Sequence, residues 1–139
     1  MSQQSPLVAD ALLRQTKALP NGAASTTTDG FDLELTSRGS LTGMKPELYI
    51  EAPALTTTEQ PDGKTTIYSV EHADDAAFSG VAVLYSAVLT QTGAGGAGSA
   101  AAAVRLALPT NVKRYVRVKA TGSATGNNST KSMTASLLF

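Results

Sequence analysis

The sequence predicts an all-β protein, an antiparallel sandwich or barrel of about seven or eight short strands behind a short N-terminal helix or arm. Three observations predict it. Apolar and polar residues alternate in short runs, the pattern of half-buried strands. Gly-, Thr- and Asn-rich loops separate those runs at short spacing. Ser, Thr, Ala and Gly supply 65 of the 139 residues, with only seven aromatics and no Trp. The core must therefore be thin, made of Val, Leu, Ile and Ala, which suits two layers that approach closely.

The first element expected is a helix. Ser5 is placed as its N-cap, Pro6 at the first helical position, and Leu7, Val8, Ala11 and Leu12 recur at near-helical spacing until Pro20-Asn21-Gly22 stops it. So short a helix is marginal alone in water and has to dock, either on its own sandwich or on a partner. This divides the chain into an N-terminal helix or arm, 1–20, and a sandwich domain, 21–139.

Strands follow. Residues 30–35 put Phe31, Leu33 and Leu35 opposite Asp32 and Glu34. Residues 47–51 put Leu48 and Ile50 opposite Tyr49 and Glu51, and Pro53 ends the run. Residues 65–72 put Tyr68, Val70 and His72 opposite Ile67, Ser69 and Glu71. The stretch 81–91 is almost continuously apolar, as in a strand buried on both faces or one broken by a bulge. Residues 100–108 end with Val104, Leu106 and Leu108 alternating with Arg105 and Ala107. Residues 114–120 set Val116, Val118 and Ala120 against Tyr115, Arg117 and Lys119, and 133–139 close the set on Leu137-Leu138-Phe139. Such an apolar ending calls for a packed strand, because each large side chain left in water forfeits roughly 1.5–3 kcal/mol. Between the strands, Asp62-Gly63 has the composition of a hairpin turn.

Composition narrows the function. Cysteine is absent, which removes disulfides, thiolate metal sites and thiol nucleophiles. No apolar run approaches the roughly 20 residues of a membrane span, and Asp10, Arg14, Gln15 and Lys17 interrupt what would be the apolar core of a secretory signal. The expectation is a protein used without export, for which the sequons at Asn127-Asn128-Ser129-Thr130 carry no meaning. Charge is balanced overall but segregated: all 11 acidic residues lie within 1–75, while 76–139 hold bases alone, Arg105, Lys113, Arg114, Arg117, Lys119 and Lys131. Either acidic strands pair with basic ones inside one molecule, or opposite patches attract neighbouring copies or a scaffold. Nucleic acid is disfavoured, since there is no basic excess.

The motifs that resemble catalytic or cofactor signatures fail on context. Gly93-Ala94-Gly95-Gly96-Ala97-Gly98 fits GxGxxG, but no acid follows Asp75 to hold a ribose, so a flexible loop is expected and no cofactor. His72 is the sole histidine, and its neighbours Glu71, Asp74 and Asp75 cannot converge with it along one strand. No serine sits in a nucleophile elbow, and Asp32 and Glu34, on one strand face, read as a solvated face rather than a glycosidase pair. No catalytic or metal residue is assigned, and an enzyme is not expected. The strongest cluster is Tyr115, Arg117 and Lys119 on one strand face, residue types that carry interface energy. With Leu7, Val8 and Leu12 of the N-terminal segment they are the candidate protein contacts.

One resemblance spans most of the chain. Leu19-Pro20-Asn21-Gly22 and Phe31-Asp32-Leu33 are followed by Pro46-Glu47-Leu48-Tyr49-Ile50 and Thr66-Ile67-Tyr68-Ser69-Val70-Glu71-His72. An Ala-rich strand then leads into Leu108-Pro109, Lys113-Arg114-Tyr115-Val116-Arg117-Val118 and an apolar closing strand. From Ala23 to Phe139 this resembles the small capsid cement, or decoration, proteins of tailed bacteriophages, of the type first seen on a Bordetella phage. The resemblance implies a jelly roll and a non-enzymatic virion protein on the outer surface of the head, clamping neighbouring major capsid subunits. It also implies a homo-oligomer, dimer ahead of trimer; from charge and composition no nucleic-acid or membrane partner is expected. The alternative is a sandwich module that binds a receptor or carbohydrate in a viral or bacterial assembly, which calls for an aromatic or calcium-lined concavity.

Overall fold

The computed structural model describes residues 13–33, 46–123 and 126–138, which contain strands and turns and no α-helix. The strands are β1 Arg14–Ala18, β2 Ser25–Thr27, β3 Phe31–Asp32, β4 Glu47–Ala52, β5 Thr65–Ala73, β6 Ala82–Thr92, β7 Ala102–Ala107, β8 Tyr115–Gly122 and β9 Ser132–Leu138. One sheet has the order β1-β9-β4-β7 and the other β2-β8-β5-β6, with β3 also on β8. β2 and β3 lie end to end along β8, against residues 119–121 and 115–116, and so act as one strand broken at 28–30. Every strand pair is antiparallel. With β2 and β3 counted together, eight strands cross between two sheets in the order of a jelly roll.

Alternation decides what each strand buries. Leu48 and Ile50 of β4 face inward beside Leu106 and Val104 of β7 and Leu137 and Ala135 of β9. From the other sheet come Tyr68 and Val70 of β5 and their partners Ala120 and Val118 of β8, all fully buried. The large Tyr68 opposite the small Ala120 shows how so Ala-rich a chain fills a narrow interior: one bulky ring takes the space that the methyl leaves.

Three expectations need correction. Residues 14–19 are not helical: β1 occupies 14–18 and pairs with β9, Arg14 opposite Ser136 through Ala18 opposite Ser132. A ladder to β9 outweighs the weak local preference of Arg-Gln-Thr-Lys for a helix. Residues 1–12, including Leu7, Val8 and Leu12, lie outside the described set, as does Phe139. Next, β6 is not buried on both faces; it is an edge strand with most of its residues exposed or half-buried, and its register against β5 shifts twice. The bulged alternative holds, and Ala87 takes a positive φ of 50° there. Finally, Asp62-Gly63 forms a β-turn, with Lys64 N–H donating to the Pro61 carbonyl at 3.0 Å, but it leads into β5 instead of joining two hairpin strands.

The segregated charge is resolved within the molecule. Glu47–Arg105, Asp74–Lys113, Asp32–Arg114, Glu71–Arg117 and Glu71–Lys119 each join an acid of the first half to a base of the second. Jelly-roll order makes this so, because it lays β3, β4 and β5 beside β7 and β8.

The glycine loop is structural. Loop 93–98 lies on segment 55–64: Leu55 and Ser99 exchange two backbone hydrogen bonds of 2.9 Å, and Gly96 N–H donates to Asp62 Oδ1 at 2.9 Å. A Cβ on Gly98 would overlap the Leu55 carbonyl oxygen, and its φ of +69° is costly for any other residue. Gly98→Ala is expected to lose about 3 kcal/mol of stability, strain and overlap together; chemical denaturation measures it, and a loss below about 1 kcal/mol contradicts the close approach.

Candidate contact surface on the second sheet

The register Glu71 opposite Arg117 sets a carboxylate and a guanidinium side by side on the outer face of the second sheet. Arg117 Nε lies 2.7 Å from Glu71 Oε2, and Lys119 Nζ lies 3.6 Å from Oε1. The Glu71 side chain is only 7% exposed, so two cations hold one buried carboxylate.

An aromatic layer covers this pair. The loop after β5 folds back over the sheet and carries Phe78, whose ring lies 4.2 Å from the Arg117 guanidinium and 6.5 Å, edge to face, from Tyr115. Phe78 takes a strained φ of 54°. Asp75 holds the turn: its carbonyl accepts from Phe78 N–H at 3.0 Å, and its carboxylate accepts from Ser79 Oγ at 2.8 Å and from Ser79 N–H at 3.2 Å. These bonds keep the Asp75 carboxyl below its ordinary range. A Cβ at position 30 would press on the Phe78 ring, so any residue but Gly there would displace it. On the far side of Tyr115, Arg114 lies 5.1 Å from the ring and grips Asp32 with bonds of 2.8 and 2.9 Å.

Tyr115, Arg117 and Lys119 therefore do share one face, as the alternation predicts, and all three are half-buried. Glu71 offsets one of the two positive charges of Arg117 and Lys119, so the face keeps a net positive charge beside the Tyr115 ring. Reading the sequence alone missed Glu71, Asp32 and Phe78. The first two are ordinary outward strand residues until the register is known, and a lone Phe in a loop has no period to betray it. Beside Phe78 opens a hollow of about 300 Å³ that Lys17, Thr27, Asp29 and Arg117 help to line.

His72 points inward opposite Val116 and is nearly buried, with Nδ1 accepting the Lys113 N–H at 3.1 Å. Burial, with repulsion from Lys113, lowers its pKa below 6.5, against a smaller pull from Asp74. Asp74 pairs with Lys113 and Asp75 caps Ser79, so the acids beside His72 are otherwise engaged. Among the described residues, no group of three or more His, Asp or Glu is placed to hold a metal. Because the folded-state pKa is the lower one, this histidine's contribution is complete above the unfolded value near 6.5 and falls away as pH drops below it. Melting temperatures are expected to fall from pH 7 toward pH 5 by more in the wild type than in His72→Gln; equal slopes would exclude His72 as the source.

A second surface lies at the side of the sandwich where β6 and β7 run along its two sheet edges. Residues 76–104 contain no Asp, Glu, Lys or Arg. Among the described residues, the exposed large apolar ones are here, Val81 at 42% and Val83 at 60%.

No protein-family model matches the chain, and no curated protein matches it. Among solved structures it is similar to the crystal structure of the PBSX exported protein XepA. The TM-score is 0.52 at 12% identity over 99% of this chain and 50% of that one, so the chain spans about half of XepA's length. It is also similar to the CBM27-1 module of Caldicellulosiruptor saccharolyticus, solved in complex with mannohexaose. That TM-score is 0.47 at 14% identity, over 90% of this chain and 71% of the module. At such identities the likeness to XepA is one of fold, and the chain is an all-β protein built as a two-sheet antiparallel sandwich.

Proposed function

We propose that this protein is a capsid cement protein: it sits on the outer surface of a phage head and clamps neighbouring major capsid subunits by buried contact, without catalysis. The observation that carries the reading is the strand order, β1-β9-β4-β7 on β2-β8-β5-β6. It is the jelly roll implied by the resemblance that runs from Ala23 to Phe139 and that composition alone left open between sandwich and barrel. The contact residues are Tyr115, Arg117 and Lys119, together with Leu7, Val8 and Leu12 of the N-terminal segment.

The physical logic is linkage. A protein that binds only the assembled shell stabilises it in proportion to occupancy, and attachment to several subunits at once strengthens the hold without any new type of contact. Tyr115, half-buried beside the buried Phe78, supplies rigid aromatic area, and the Arg117 guanidinium, already stacked and paired, loses little freedom on docking. The test is co-sedimentation of the purified protein with heads that lack it. Saturable binding that raises the melting temperature of the heads supports the reading. Absence of binding by a folded protein overturns it.

A further inference from the structure

We infer that His72 is a proton-operated latch on the connection between β7 and β8: the neutral ring holds segment 109–113 closed, and the protonated ring releases it. The latch is independent of the cement reading, being a property of the folded chain whatever that chain attaches to.

The segment is anchored at both ends and weakly tied between them. At one end, Leu108 N–H donates to the Pro46 carbonyl at 3.1 Å. At the other, the Arg114 carbonyl accepts from Leu33 N–H at 2.8 Å, and the Arg114 guanidinium grips Asp32. Between the anchors, Val112 N–H closes a turn on the Pro109 carbonyl at 3.1 Å, and the Val112 side chain joins the core while Thr110 and Asn111 stand in water. What fastens the middle to the sheet is the bond from Lys113 N–H to His72 Nδ1, at 3.1 Å. The Lys113–Asp74 ion pair, 3.5 Å long, adds little, because the Asp74 side chain is 83% exposed.

A backbone N–H can only donate, so His72 Nδ1 carries the lone pair and Nε2 the proton. Protonation puts an N–H on Nδ1 as well, donor against donor, and sets an imidazolium beside the Lys113 ammonium. One proton therefore removes the bond and adds repulsion, and water can serve both donors only when the segment lifts. Among the described residues, two charged groups act on the ring: Lys113, on the segment, opposes protonation, and Asp74, just past the end of β5, favours it. The flanking strands bring Val116 of β8 and Ala82 of β6, and β6 has no charged side chain. Glu71 and Arg117, next to them in sequence, lie on the outer face and pair with each other. Burial and Lys113 outweigh Asp74, so the latch is closed at neutral pH and opens below 6.5. Asp74, once Lys113 moves away with the segment, is left to the imidazolium, which gives the open state a partner of its own.

The experiment is amide hydrogen exchange by NMR on the full isotope-labelled chain between pH 7 and pH 5, each rate corrected for the intrinsic pH dependence of exchange. The neutral ring is expected as the Nε2–H tautomer. Protection of the Lys113 amide is expected to fall at least about tenfold across the ring's own titration. At pH 5 that amide is expected to exchange at least about a hundredfold faster than those of Ile50 and Tyr68, which lie in the core and wait for global unfolding. In His72→Gln, which cannot take up the proton, protection of the Lys113 amide is expected to stay level over the same range. An Nδ1–H tautomer at neutral pH overturns the proposal. So does a Lys113 amide that ignores the ring's titration, one that exchanges in step with Ile50 and Tyr68 at pH 5, or a pH-dependent loss that persists in His72→Gln. None of these readouts involves phage heads, so the cement reading stands or falls separately.

Discussion

Deleting residues 1–20 is expected to cost roughly 4–6 kcal/mol, close to the whole stability of a marginal domain, and so to leave the protein largely unfolded. The deletion removes β1, whose five residues pair with β9, and Leu19, which is 1% exposed in the core. Leu19 alone is worth about 2 kcal/mol of burial. Its N–H also donates to the Lys131 carbonyl at 2.9 Å. Stripping β1 turns β9 into a bare edge, over the buried Met133 and Ala135. Deletion of 1–12 is the matched control, because it takes Leu7, Val8 and Leu12 and leaves β1 whole. That shorter deletion is expected to melt within a few degrees of the wild type and to lose attachment to heads. Circular dichroism melts decide the first expectation and co-sedimentation the second. A stably folded 21–139 fragment would mean that the β1 ladder contributes little, and undiminished binding by the shorter deletion would remove the N-terminal segment from the contact set.

The same contrast shows what the sequence made legible. β4, β5 and β8 were readable almost to the residue, because each has one buried and one wet face and so alternates: Leu48 and Ile50, Tyr68 and Val70, Val116 and Val118. β1 was not, since its side chains are polar on both faces and its place comes from β9, far along the chain. β6 misled by composition, because an apolar run looks the same whether it is buried in a sheet or stands uncovered at an edge. The contact surface followed the same rule. Tyr115, Arg117 and Lys119 share a face by alternation alone, but Glu71 and Phe78, which neutralise and cover Arg117, are set by register and by a loop.

Gln91→Met is expected to lose about 3–5 kcal/mol, although the exchange nearly conserves volume and adds apolar surface. Gln91 closes one end of the sandwich. Its Oε1 accepts the Tyr68 hydroxyl at 2.8 Å, and its Nε2 donates to the carbonyls of Pro53 at 2.7 Å and Ala100 at 2.9 Å. Nearby, Gln60 Oε1 accepts from Thr66 Oγ1 at 2.8 Å and from Asn128 Nδ2 at 3.4 Å, and its Nε2 donates to the Gln91 carbonyl at 3.2 Å. Two side chains thus tie the loops after β4, β6 and β8 together at the edge of the core. Methionine leaves the Tyr68 hydroxyl and two carbonyls without their partner in a dry site, at about 1–3 kcal/mol each and less than additively. Burial already holds the Tyr68 hydroxyl far above its ordinary pKa, so it cannot relieve the loss by ionising. Tyr68→Phe alone should cost about 1–2 kcal/mol, but in the Gln91→Met background it should regain stability, because it removes the hydroxyl that methionine leaves stranded. Urea denaturation of the four proteins of this cycle measures both numbers. Additive losses would show that the two side chains act independently, and a Gln91→Met loss under about 1 kcal/mol would show that water replaces the amide at no great cost.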